Sequence, residues 1–167
     1  MSTGIIIRRA TIDDAEALSR FTNEIADEAI DTVSGQRYSA AQEREILEQT
    51  KAKERTFFLM ALDGTRVVGL LSLSAEEKQH YRHAARLGMA VVQQYRQQGI
   101  GRRLLETAIQ ETKGWPGFCR IELIVTPWNA PAIQLYRSMG FVQEGILRKG
   151  ANLRGAPHDM ILMALVW

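Results

Sequence analysis

The chain has 167 residues, room for one core and one principal site, and its 46% hydrophobic and 24% charged residues with a mean hydropathy of -0.17 exclude a disordered or membrane-spanning protein. Lys and Arg number 21 against 19 Asp and Glu, and the net charge of +2 is too small to mark a nucleic-acid partner. A single cysteine, Cys119, excludes an intramolecular disulfide and any Cys-x-x-Cys centre, which fits a reducing cytoplasm.

No apolar run approaches the ~20 residues that span a bilayer, so no membrane partner is expected. The opening stretch from Met1 lacks a signal-peptide core and reads as the start of a single domain over 1–167. Ile5–Ile7 suits an opening strand. Thr11 with Asp14 forms a capping pair, and Ala15, Leu18, Phe21, Ile25 and Ala29 recur at helical spacing, so an amphipathic helix follows. A breaker region over Asp31–Tyr38, containing Ser34-Gly35, precedes a second helix that Ser39 and Gln42 open as a capping box and that runs towards Arg55. From Thr56 the pattern changes to strands: residues 56–62 and 66–73 are apolar runs joined by Asp63-Gly64-Thr65, an antiparallel hairpin. A polar loop around 76–81 leads to 86–92, apolar on both faces and therefore central. After a glycine segment, Leu104, Leu105, Ala108 and Ile109 mark a helix that ends at Lys113-Gly114. Ile121–Val125 is a strand, and Asn129 caps a helix through Met139, with Pro131 in its first turn and Gly140 at its stop. Strands at Phe141–Leu147 and Met160–Val166, joined by a polar Gly-rich loop, close the chain. The pattern predicts an α/β (α+β) fold with a mixed, mostly antiparallel sheet flanked by helices.

The order strand, Gln93-Gln-Tyr-Arg-Gln-Gln-Gly-Ile-Gly101, helix aims free backbone N–H groups and the positive end of a helix dipole at one point, which binds anions. Gly99 and Gly101 would let backbone approach a phosphate, and Arg96, Arg102 and Arg103 add positive charge. Taken alone, the segment serves equally as a plain strand-to-helix turn. No lysine and hydroxyl complete a Walker A loop, so ATP is not expected. The dinucleotide fingerprint fits only at its first two glycines, because Leu104 occupies the third, although Glu122 stands at the distance of that motif's ribose-binding carboxylate.

Val91-Val-Gln-Gln-Tyr-Arg-Gln-Gln-Gly-Ile-Gly101-Arg-Arg-Leu-Leu resembles the Arg/Gln-x-x-Gly-x-Gly/Ala signature of the GNAT superfamily of acetyl-CoA-dependent N-acetyltransferases. Asn129-Ala-Pro-Ala-Ile-Gln-Leu-Tyr136-Arg-Ser-Met-Gly140-Phe141 is similar to that family's second block, in the same order and at a typical distance, and the tail is similar to the branch of ribosomal-protein and amino-acid acetyltransferases. The resemblance implies acetyl-CoA as co-substrate. Backbone amides of Gln97, Gln98, Gly99, Ile100 and Gly101, with Arg96 and Arg102, would hold its pyrophosphate. Met89, Ala90 and Val91 would pair with the pantetheine, and Asn129 would flank the cofactor arm. The thioester would lie in a V-shaped splay between the Met89 and Ile121 strands, with an amide such as that of Ala90 stabilising its oxygen. Tyr136 is the implied general acid for the leaving thiolate, a role weighed against packing with Ala132, Leu135 and Met139.

An attacking lysine-type amine, with a pKa of about 10.4, needs help to lose its proton at neutral pH. The family position that carries a glutamate in some members is Ala85 here, so Glu122 and His83 are the candidate bases, each of which also reads as an ordinary surface group. Glu24, Asp27, Glu28 and Asp31 on the first helix would attract a cationic amine, whereas Arg148, Lys149 and Arg154 in the closing loop would select a carboxylate. His80 and His158 lack ligand partners at recognisable spacing, so no metal is expected. The expected activity is acetyl transfer from acetyl-CoA to a primary amine of a small molecule such as an amino acid or other amine metabolite. A protein N-terminus as acceptor and a non-catalytic acyl-CoA-binding module are the alternatives, and a homodimer stays open.

Overall fold

A computed structural model of the chain describes residues 4–28 and 36–167. Both expected capping pairs form there. The backbone N–H and hydroxyl of Thr11 donate to Asp14 at 2.8 and 3.0 Å, ahead of a short 3-10 turn and α1 (Ala15–Glu28). The Ser39 hydroxyl accepts from the Gln42 N–H at 3.2 Å, and the Gln42 side chain accepts from the Ser39 N–H at 2.9 Å, opening α2 (Ala40–Lys51). α2 stops at Lys51, short of Arg55. Ala29 and residues 31–35 of the breaker region lie outside the described residues.

The remaining elements are β1 (Ile6–Arg9), β2 (Thr56–Asp63), β3 (Arg66–Ala75), β4 (Ala84–Val91), α3 (Ile100–Lys113), β5 (Arg120–Val125), α4 (Ala130–Ser138), β6 (Val142–Leu153) and β7 (Ala156–Val166). The strands form one sheet in the order β1-β2-β3-β4-β5-β7-β6, antiparallel throughout except for β4 against β5. Neighbouring residues on one strand point to opposite faces. Thus Met60 joins Leu18, Phe21, Ile25 and Leu47 beneath α1 and α2, while Leu59 joins Leu104, Leu105, Ala108 and Ile133 beneath α3 and α4.

The parallel pair is where the sheet opens. β4 and β5 are bonded only at Ala84–Arg86 against Arg120–Glu122. β4 nevertheless stays paired with β3 as far as Val91, and β5 with β7 as far as Val125. From Leu87 onward the facing edges diverge, which is the expected V-shaped splay.

Two expectations need correction. The 86–92 strand is central, but Arg86 and Gly88 are exposed, so its second face is partly open rather than buried. The closing segment is no Gly-rich loop: β6 and β7 continue through it as a long hairpin, turning at Arg154 and Gly155, both with positive φ (54° and 77°). That is the backbone a two-residue type I′ hairpin requires. Arg148 and Lys149 therefore lie on a strand, with the Lys149 N–H donating to Asp159 at 2.7 Å, and Arg154 sits at the hairpin tip.

Candidate active site

At the wide end of the split, β4 gives way to Val92, whose N–H donates to the Val68 carbonyl at 3.0 Å, and to a 3-10 turn over Gln93–Tyr95. Gln97 (φ 60°) and Gly99 (φ 80°) are then both left-handed, curling an exposed loop into a concavity lined by backbone N–H groups. The first-turn amides of Ile100, Gly101 and Arg102 have no intrahelical acceptor and add the positive end of the α3 dipole. A loop of this shape leading into a helix start is suited to an anion.

The two glycines serve different ends. A side chain on Gly99 would meet nothing within 4 Å, so that position is set by its φ. A Cβ on Gly101 would lie 3.1 Å from Leu135 Cδ2 and 3.3 Å from Met89 Cε, so there glycine lets α3, α4 and β4 converge. Arg102 fastens the junction by donating to Ser138 Oγ at 2.7 Å and to Met139 Sδ at 3.2 Å. Arg96 folds back to the Val91 carbonyl (2.8 Å) and Glu28 (3.1 Å), and Arg103 donates to the Ile5 carbonyl at 2.9 Å. All three loop arginines thus hold protein partners.

Glu28, whose side chain is 17% exposed, organises the loop. Its two oxygens each accept from the Gln93 N–H at 3.0 Å while it pairs with Arg96, so the end of α1 caps the turn that launches the anion loop. The acidic residues of α1 are engaged rather than offered to a substrate: Glu24 pairs with Arg66 at 2.7 Å and Asp27 with Arg37. Asp31 lies outside the described residues.

On α4, Asn129 is the N-cap, its side chain accepting from the Ala132 N–H at 3.3 Å. Tyr136 is 6% exposed and packs against Phe141 with ring centroids 5.7 Å apart. Burial alone pushes its pKa up to about 12, and among the described residues its hydroxyl has no hydrogen-bond partner. A buried tyrosine hydroxyl usually finds one, which makes this phenol a candidate donor to a ligand atom.

Glu122 and His83 line a common cleft with Ser74, Lys78, Arg86 and Arg120. One Glu122 oxygen accepts from Arg86 Nε at 3.1 Å and the other from Arg120 at 3.0 and 3.1 Å. Arg120 also grips Glu144, which draws the Glu144 carboxyl below its ordinary range. His83 is exposed; its carbonyl accepts from the N–H groups of Cys119 and Arg120, tying β5 to β4.

A cavity of about 310 Å³ opens farther along the same face of the sheet, beneath α1 and α2. Ser72, Gly88, Met89 and Ala90 floor it where β4 borders the split, and Phe21, Ile25, Ile46, Phe58 and Leu70 give it apolar walls. Glu43, only 6% exposed, projects into it and takes a hydrogen bond of 2.9 Å from Thr22. Burial raises the Glu43 pKa against the lowering effect of that bond. Sequence reasoning missed Glu43 and gave Glu28 another role, the attraction of a cationic amine, where the structure has it hold Gln93 and Arg96. The available signal was the same for each: a carboxylate three or four residues from apolar partners (Ile46 and Leu47; Ile25) on the inward stripe of a helix. Among the described residues no group of three His, Cys, Asp or Glu is placed to hold a metal ion.

A sheet split between two parallel central strands, a glycine loop at the wide end and a buried phenol on the adjoining helix are the arrangement that the resemblance to the GNAT superfamily implies. A family profile described as acetyltransferase (GNAT) family matches residues 20–141, and the chain belongs to that family. It is 34% identical over 105 residues to the L-amino acid N-acetyltransferase AaaT of Escherichia coli (strain K12), covering 63% of this chain and 64% of that relative, less than two thirds of its length. A ribosomal-protein-alanine N-acetyltransferase from Brucella melitensis superposes with a TM-score of 0.86 at 26% identity, over 97% of this chain and 99% of that one. A phosphinothricin acetyltransferase from Sinorhizobium meliloti, solved in complex with acetyl-CoA, shares the fold with a TM-score of 0.83 at 21% identity, over 97% and 88%. The chain thus falls in the branch that resembles ribosomal-protein and amino-acid acetyltransferases.

Proposed function

We propose that the chain transfers an acetyl group from acetyl-CoA to the primary amine of a small molecule, such as an amino acid or another amine metabolite, by direct attack in a ternary complex. The observation that carries this reading is the position of β4 residues 88–90, which floor the acceptor-sized cavity on one face and border the split that leads to the anion loop on the other. Open loop amides and an unpartnered buried phenol fit the implied co-substrate. Gln97 to Arg102, with Arg96, would bind the pyrophosphate. The free β4 edge at Met89–Val91 would bind the pantetheine amides, with Asn129 beside it. Acetyl-CoA supplies an acetyl group on a thioester carbon open to attack by an amine. The register turns the Ala90 N–H towards Leu70 on β3, so an N–H on the free β4 edge, that of Met89 or Val91, would hold the thioester oxygen instead, and Tyr136 would give its proton to the departing sulfur. His83, the other candidate base, precedes β4 at its paired end, about 20 Å along the strand from Met89, and is too far to reach the amine through one water.

The cavity sits at the low end of the roughly 300–1,000 Å³ usual for ligand pockets, which favours a small acceptor over a protein N-terminus. A screen of acetyl-CoA consumption over amino acids, polyamines, aminoglycosides and N-terminal peptides tests the assignment. Failure to bind acetyl-CoA in a calorimeter would sink it, and tight binding without transfer to any amine would leave an acyl-CoA-binding module.

Two variants probe supporting residues. Glu28→Ala strips the cap from Gln93 and releases Arg96, and calorimetry is expected to show acetyl-CoA affinity reduced by about 3- to 20-fold. Glu122→Gln is expected to leave kcat within a small factor of wild type, because both oxygens are already held by guanidinium groups, whereas loss of a general base would cost about 100-fold or more.

A further inference from the structure

The acceptor cavity contains one ionisable carboxylate that no part of the cofactor reading uses. Glu43 is almost wholly buried, and its side-chain partner is the Thr22 hydroxyl. That hydroxyl has a single proton and three acceptors within reach: Glu43 at 2.9 Å, the Leu18 carbonyl at 3.0 Å and the Ser19 carbonyl at 3.3 Å. Glu43 therefore receives at most a shared hydrogen bond. A carboxylate taken from water without a counter-charge is costly, and proteins keep such groups paired or neutral. The remaining cavity residues are Phe21, Ile25, Gln36, Tyr38, Ile46 and Phe58 above, and β3 and β4 below; none is Lys, Arg or His. Among the described cavity residues no cation faces Glu43, so its carboxyl is either protonated or matched by a cation that a ligand brings.

We infer that Glu43 is the recognition residue for the acceptor's ammonium group, and that the cavity selects a primary amine with an apolar body and no carboxylate. Apolar walls accept an alkyl or aryl body. An α-carboxylate in the same cavity would face Glu43 with no cation to match it. Of the cations near this face, Lys78, Arg86 and Arg120 line the neighbouring cleft, where Arg86 and Arg120 are bound to Glu122 and Arg120 also to Glu144, while Arg37 is paired with Asp27 and Arg66 with Glu24. This inference rests on the acetyltransferase reading for its meaning, but its binding test does not depend on turnover.

The probes are 3-methylbutylamine and phenethylamine, set against L-leucine and L-phenylalanine, which carry the same bodies plus a carboxylate. Calorimetric titration of each into the wild-type protein, alone and with coenzyme A present, is expected to show the amines binding at least about 10-fold more tightly than the amino acids. Glu43→Gln keeps the shape and the contact with Thr22 while removing the charge. It is expected to weaken amine binding by about 10-fold or more, leave acetyl-CoA affinity unchanged, and leave the melting temperature equal or higher, since an unpaired buried charge is gone. Equal amine binding by Glu43→Gln and wild type, preference for the amino acids, or no amine binding in any form overturns the assignment. With acetyl-CoA binding intact, those results leave the acetyltransferase reading standing. Loss of that reading alone would show as amine binding that depends on Glu43 in a protein that does not bind acetyl-CoA.

Discussion

Replacing Tyr136 by phenylalanine is expected to lower kcat by about 100- to 1,000-fold, the range for a lost general acid, with little change in acetyl-CoA affinity. The substitution removes one oxygen and leaves the ring against Phe141. That oxygen has no partner among the described residues, so its burial is a cost to the free protein of about 1–3 kcal/mol. Tyr136→Phe should therefore melt at the same temperature as wild type or higher. A residue retained for packing would show the same stability and no kinetic effect, so the two measurements together separate the roles. Burial holds the phenol protonated up to about pH 12, and any alkaline decline of kcat at lower pH has to come from another group. Burial that disfavours the phenolate also disfavours a thiolate leaving into the same surroundings, which keeps the proton transfer feasible. If Tyr136→Phe turns over at the wild-type rate, Tyr136 is a core residue and the acid lies elsewhere.

What could be read from the sequence followed the range of the interaction. Capping pairs such as Thr11 with Asp14 and Ser39 with Gln42 are three residues apart and survive in the structure as hydrogen bonds. The strand, glycine loop and helix around Gly99 are equally local, and so is the buried face of α1. The two closing strands were legible at 142–147 and 160–166, but their continuation to the hairpin tip was not, because β6 is exposed along most of its length and shows no alternation of apolar and polar residues. Its turn carries Arg154 where Asn or Asp would ordinarily announce a type I′ geometry. Least legible were the charge partners. Arg96 reads as a free phosphate ligand in sequence, yet it is paired with Glu28, and Glu122 reads as a free base, yet Arg86, on another strand, occupies it. Such pairings depend on sheet register, which no spacing along one chain specifies.

Gly99 offers the sharpest test of the anion loop, because its side-chain position is empty space. A Cβ there meets nothing within 4 Å, so the effect expected of valine is that of its φ of 80°. Holding a β-branched residue in that region costs about 2–3 kcal/mol. The protein has two ways to meet that cost. If the loop keeps its shape, the amides still converge and Gly99→Val loses stability with acetyl-CoA affinity preserved. If the loop relaxes, stability is retained, but the N–H groups at the start of α3 turn away, and affinity falls by about 30- to 150-fold. The N-cap contact from the Arg103 N–H to the Gly99 carbonyl, at 3.0 Å, ties the residue to the helix and favours a mixture of the two. Stability and affinity losses, measured by denaturant unfolding and calorimetry on the same variant, should therefore sum to about 2–3 kcal/mol. A variant that loses neither would mean that Gly99 is not held left-handed and that the loop does not owe its anion-binding shape to this residue. Gly101→Ala provides the contrast: its obstacle is contact with Leu135 and Met89, so its effect should register at the α4–β4 junction and in turnover rather than in loop strain.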